Sequence, residues 1–152
     1  MKSLLKENDK AEVIERLRQI KPGSQRRWGR MSAHQMLCHL SDSFLAVMGE
    51  KAVSPATGLT QRTLLKWVAL YAPLRWPKGV RTRPEVDQEA GGTRPIEFER
   101  DRRQLEQLME RFGRPPRDFE WQPHPIFGVM PERDWMRWGY LHLDHHLRQF
   151  GA

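Results

Sequence analysis

Apolar residues recur every three or four positions through most of this chain, the spacing of one buried face of an α-helix. A first helix is predicted over Asp9 to Ile20. Val13, Leu17 and Ile20 form its stripe, Asp9 and Glu12 have capping-box spacing, and Lys21-Pro22-Gly23 ends it. A second opens at Ser32, where Gln35 completes a capping box and Met31 precedes it as a staple residue. Met36, Leu40, Phe44 and Val47 build its apolar face. Thr60 to Tyr71 reads as a short helix, apolar nearly all round. Residues 72–95 are broken by Pro73, Pro77, Gly79, Pro84, Gly91, Gly92 and Pro95. A connection of that length without regular structure is unusual in a compact domain. It is predicted to be a crossover lying partly over one end of a helical bundle.

Ile96 to Phe112 carries Leu105, Leu108, Met109 and Phe112 at helical spacing, and Gly113 with Pro115-Pro116 stops it. Trp121 to Gly128, WQPHPIFG, mixes turn formers with apolar anchors and is expected to pack tightly, with His124 bonded to backbone. Pro131 to Gln149 is the last helix, and Gly151 is its stop signal. No strand pattern, internal repeat or low-complexity tract competes. The expected fold is all-α. Three long helices and the shorter first one make a single four-helix-bundle domain over residues 1–152, with the Thr60 helix in the crossover.

The last helix also carries the candidate chemistry. At about 100° per residue, Arg133, Arg137, Asp144 and Arg148 fall on one side, and Trp135, Gly139, His142 and His146 on the other. His145 lies near the edge of that inner face. Burying an imidazole is costly unless its nitrogens find partners. An i, i+4 pair therefore reads either as satisfied core histidines or as two ligands of one ion. On the second helix, His39 borders the apolar stripe with Gln35, Ser43 and Ala46 around it, while His34 and Cys38 fall on another side, at surface or boundary positions. Facing helices of a bundle build metal sites from inward side chains, so His39, His142 and His146 form a candidate triad with a coordination position left open. Zinc is the default ion because it needs no redox partner, with nickel, iron or copper compatible with the ligand type. Gln149, and by spacing Asp42, are candidates to hydrogen-bond the ligands from behind.

Composition narrows the setting. The chain has 152 residues, 38% hydrophobic and 30% charged, which excludes a disordered chain. Its single cysteine, Cys38, excludes an internal disulfide. The early charges of MKSLLKENDK argue against a signal peptide, and the run Leu64 to Leu74 is too short to span a bilayer. The expectation is a soluble cytoplasmic protein with no membrane insertion. The formal net charge is +7, yet basic and acidic residues alternate, as in FERDRRQLEQLMERF. That pattern weighs against nucleic acid as a partner. Trp28, in the basic loop Ser24 to Arg30, is expected to anchor that loop on the core.

Two blocks, WGRMSAHQMLCHL (Trp28 to Leu40) and HPIFG…W…HLDHHLRQF (His124 to Phe150), resemble the DinB-like superfamily, and within it a bacterial subgroup of unknown function. WPKGVRTRPEV and the GGTRP junction extend the resemblance over most of the chain. It implies a four-helix bundle of up-down-down-up topology and a metal held by three histidines. On this sequence those are His39, His142 and His146, with His145 outside the triad. Some relatives are thiol transferases that use bacillithiol or mycothiol, others isomerise maleylpyruvate, and they often pair, which makes a homodimer one expectation.

Two functions are therefore carried forward. One is a metal-dependent enzyme acting on a small electrophilic or stress-related metabolite, first a thiol S-transferase with a low-molecular-weight thiol and second a hydrolase. The other is a non-catalytic binding module, its histidines a satisfied polar core and its basic surface meeting an anionic partner.

Overall fold

The strongest local signal in the chain, Ser32 with Gln35, is realised in full. The Ser32 hydroxyl accepts the Gln35 N–H at 3.1 Å, and the Gln35 side chain accepts the Ser32 N–H at 2.8 Å. In the computed structural model, which describes residues 1–55 and 62–152, the elements are all helical. They are α1 (Glu7–Gln19), α2 (Ala33–Val47), α3 (Arg62–Tyr71), a single 3-10 turn at Pro84–Val86, α4 (Phe98–Gly113) and α5 (Glu132–Gln149). Among the described residues there is no strand, only an isolated antiparallel bridge between His124 and Gly128.

The expected boundaries shift where tertiary contacts outrank local signals. Asp9 does not cap α1, which begins two residues before it. Residues 1–6 fold back over the helix start, with Leu4 buried and its N–H on the Met136 carbonyl at 3.1 Å. The Asp9 carboxylate is thereby drawn to the Ser3 N–H at 2.9 Å and to Lys2 at 3.1 Å. α4 starts at Phe98 rather than Ile96, because the Glu97 side chain accepts the N–H groups of Glu99 and Arg100 at 2.9 and 2.6 Å. Pro131 is the N-cap of α5, and Gly151 turns left-handed past its end at φ +84°. The expected start of α3 at Thr60 lies outside the described residues.

α2 packs chiefly on α4, and α1 on α5; contacts between α2 and α5 join the two pairs, and α3 rests on α5. Leu17, Met36, Leu40, Phe44, Met109, Phe112, Trp135, Leu143 and Leu147 fill the space between them. Gly139 lets the N-terminal segment press on α5: a β-carbon there would stand 2.7 Å from Leu4 Cδ1 and 3.1 Å from Phe112 Cε1. The WQPHPIFG segment packs as its composition predicts. His124 is buried and its Nδ1 accepts the N–H groups of Ile126 and Phe127 at 3.1 and 3.2 Å. Among its described side chains α3 buries Leu70 fully and leaves Leu64, Leu65, Trp67 and Val68 exposed. No helix among the described residues is long and apolar enough to cross a membrane.

Candidate metal centre

His142 and His146 stand one turn apart on α5, their ring centroids 5.0 Å from each other. α2 brings His39 to both, 5.3 Å from the ring of His142 and 4.8 Å from that of His146. One ligand atom from each of the three lies within 4.8 Å of the others.

Neighbours fix two of the three tautomers. His39 Nδ1 is 2.8 Å from the Val86 carbonyl, which can only accept, so Nδ1 carries the proton and Nε2 the lone pair. His146 Nδ1 is 3.0 Å from Gln149 Oε1. Gln149 is itself held in that orientation by donating Nε2–H to the Trp28 carbonyl at 2.9 Å. His146 therefore also keeps its proton on Nδ1, leaving the lone pair on Nε2. His142 Nε2 faces His39 Nε2 at 3.3 Å, and His142 Nδ1 is buried with no hydrogen-bond partner among the described residues. Two nitrogens sharing one tetrahedral ion, at bond lengths of about 2.0–2.1 Å, stand about 3.3–3.4 Å apart. The observed separation matches that arrangement and is long for a hydrogen bond. The donor set and its spacing fit a divalent ion.

Electrostatics points the same way. Burial pulls His142 and His146 well below the ordinary histidine range, and the neighbouring imidazoles add to it. Burial lowers His39 too, opposed by the Val86 carbonyl and the charges of Asp42 and Asp87. Neutral imidazoles are the form that ligates a metal.

The loops complete the surroundings. Trp76, from the crossover, lies 6.0 Å from the ring of His142 and 6.1 Å from that of His145, and donates its indole N–H to the Ala69 carbonyl at 2.7 Å. Trp28 does not pack on the core as expected: its half-buried ring lies at the rim of the imidazoles, 5.9 Å from His145, with Lys78 4.7 Å above it. His145 is half-buried beside these rings.

Asp42 serves the crossover. Its carboxylate accepts Thr93 N–H at 2.8 Å, Thr93 Oγ1–H at 2.6 Å and Gln88 Nε2–H at 3.0 Å, and pairs with Lys51 at 3.2 Å. It reaches His39 by charge and by holding the segment that carries Val86, without bonding the ring. Surface cavities of about 280 and 400 Å³ are lined by Leu5, Tyr71 and Arg137, and by Lys10, Ile14 and Glu110; neither includes an imidazole.

Compared with known proteins, the chain matches over residues 2–152 a family described as "Protein of unknown function (DUF1569)". The chain belongs to the DUF1569 family. No curated protein and no solved structure matches it.

A further expectation for this DUF1569 chain is corrected. Cys38, expected at the surface or boundary, is buried, because α4 packs over that side of α2. Burial, and then the Asp101 charge, push its thiol up to about 12. His34 stays half-buried and reaches the same Asp101 carboxylate at 2.7 Å. The contributions of Val86 and Trp76 to the centre had no counterpart in the sequence reading. A backbone carbonyl has no residue signature, and Trp76 sits in an irregular segment without periodicity.

Proposed function

We propose that His39, His142 and His146 hold one divalent ion, zinc foremost, and that the protein is a metal-dependent enzyme of the DinB-like type. The pairing of α2 with α4 and of α1 with α5 supports a four-helix bundle of up-down-down-up topology around that centre. The observation that carries the reading is the pair of hydrogen bonds behind His39 and His146. Val86 and Gln149 fix the protons of His39 and His146 on Nδ1, so two Nε2 lone pairs are left beside the His142 ring, whose buried Nδ1 has no hydrogen-bond partner among the described residues.

Bound there, the ion supplies a Lewis acid that lowers the pKa of a water or thiol taken up at the open position. The chain's own part is to hold and shield. Trp76 lies against the His142 ring with Trp28 beside His145 at the rim, and the crossover keeps the His39 proton on its acceptor. The carboxylates whose charge reaches His39 are already engaged, Asp42 by Thr93, Gln88 and Lys51, and Asp87 by Arg30. With both of these carboxylates engaged, a nucleophile that ionises readily is favoured. A thiol, at about 8.5, ionises far more readily than water at about 15.7. Transfer of a low-molecular-weight thiol to a small electrophile is therefore the preferred reaction, ahead of hydrolysis.

The test is a rate assay of metal-loaded and chelator-stripped protein, with glutathione, bacillithiol and mycothiol each offered an activated aryl halide. Metal-dependent acceleration that disappears in His142→Ala supports the reading. Metal binding without acceleration of any thiol would remove the transferase and leave the metal centre standing.

A further inference from the structure

α2 carries metal-ligand side chains on two of its sides. His39 looks toward α5, while His34 and Cys38, themselves one turn apart, look toward α4. There Asp101, in the first turn of α4, places Oδ2 2.7 Å from His34 Nε2 and 3.7 Å from Cys38 Sγ. One donor atom from each lies within 4.8 Å of the others. We infer that His34, Cys38 and Asp101 form a second divalent-metal site, selective for a thiophilic ion such as zinc, separate from the three-histidine centre.

The spacing is close to what an ion requires. Tetrahedral zinc, with bonds of about 2.0–2.1 Å to oxygen and nitrogen and about 2.3 Å to sulfur, holds oxygen and sulfur about 3.5 Å apart and oxygen and nitrogen about 3.3 Å apart. The sulfur–oxygen distance already fits, and the His34–Asp101 pair has to open by about 0.6 Å, a small rotation of a half-buried ring. The supports are those of a built ligand set. The Ile96 N–H holds Asp101 Oδ2 at 3.0 Å, and the ring of Phe98 meets His34 edge-on at 5.4 Å. Cys38 and Asp101 are buried, whereas His34 is half-buried and gives the ion a route from solvent. One thiolate, one imidazole and one carboxylate select zinc or cobalt over magnesium or calcium, which prefer oxygen alone.

The binding step needs no redox partner. The Cys38 S–H bond breaks, its proton leaves to solvent, and the sulfur–metal bond forms; His34 binds through Nε2 and Asp101 as the carboxylate. Without the ion, the same groups act as a hydrogen-bonded clasp between α2 and α4, which is the competing interpretation.

Cobalt(II) titration of the full chain separates them. Cys38 is the only cysteine, so a thiolate-to-cobalt charge-transfer band in the near ultraviolet reports this site alone. The three imidazoles give ligand-field bands only. The expected result is a charge-transfer band that saturates at one ion per chain and is displaced by zinc. It persists in His39→Ala/His142→Ala, vanishes in Cys38→Ser, and requires at least tenfold more cobalt in His34→Ala or Asp101→Asn. If the double variant does not fold, wild type whose ligand-field bands are already saturated serves instead. Ligand-field bands without charge transfer would overturn the second site and leave the histidine centre intact. A charge-transfer band indifferent to His34→Ala and Asp101→Asn would overturn it too, as stray binding to a thiol.

Discussion

Gly29 packs so closely on Gln149 that a β-carbon at residue 29 would stand 2.6 Å from Gln149 Nε2. Gly29 also has φ +75°, in the region that side chains rarely adopt. The loop before α2 is thus shaped around one amide, which links the Trp28 carbonyl to the Nδ1–H of His146.

Removing that link weakens metal binding more than stability. Gln149→Ala is expected to lower zinc affinity by about 10- to 100-fold, the usual effect of losing a hydrogen bond behind a ligating histidine. Gly29→Ala should do the same and cost about 1–2 kcal/mol of stability besides, from the left-handed backbone. Competition titration with a zinc chelator, beside urea denaturation, measures both. Unchanged affinity in both variants would show that Gln149 does not orient His146.

Asp42 tests the role of the crossover. Asp42→Ala leaves Thr93 N–H and Gln88 without their acceptor and Lys51 without its partner. A loss of about 2–4 kcal/mol is expected from the orphaned buried groups. Hydrogen exchange should quicken across residues 84–93, since the carboxylate is what ties that stretch to α2. Equal protection in variant and wild type would refute the tie.

His124 gives a pH dependence with a defined sign. Burial lowers it from 6.5 to about 3. The unfolded chain therefore binds a proton that the folded chain refuses between those values. The stability from its neutral ring is fully present above pH 6.5 and is lost as pH falls toward 3, by about 1.4 kcal/mol per pH unit within that window. Denaturation of wild type and His124→Asn at pH 7 and pH 4.5 checks this. The wild type should lose more stability between the two pH values than the variant does. Equal losses would contradict it.

The all-helical character and the convergence of three histidines were legible in the sequence because both rest on helical pitch. His142 and His146 share a face by spacing alone, and His39 borders the stripe of a helix with an unambiguous start at Ser32. What stayed hidden depends on contacts distant in sequence. Asp9 left its capping role because residues 1–6 return over α1 and offer it the Ser3 amide. Cys38 is buried because α4 covers a side of α2 that its own sequence leaves ambiguous. The Val86 carbonyl belongs to an irregular segment whose path is set by Asp42, 44 positions earlier by residue number, and by Thr93 beyond it. Periodicity carries no information about such a path.

Metal stoichiometry across single-ligand variants tests the central claim most directly. Zinc per chain is measured after metal-replete equilibration and removal of free ion, for wild type and for His39→Ala, His142→Ala and His146→Ala, each checked for a folded circular-dichroism spectrum. The account predicts that each substitution removes one equivalent of zinc relative to wild type while the helices remain. Folded variants that retain the wild-type amount, or a wild type that binds no zinc, would contradict it.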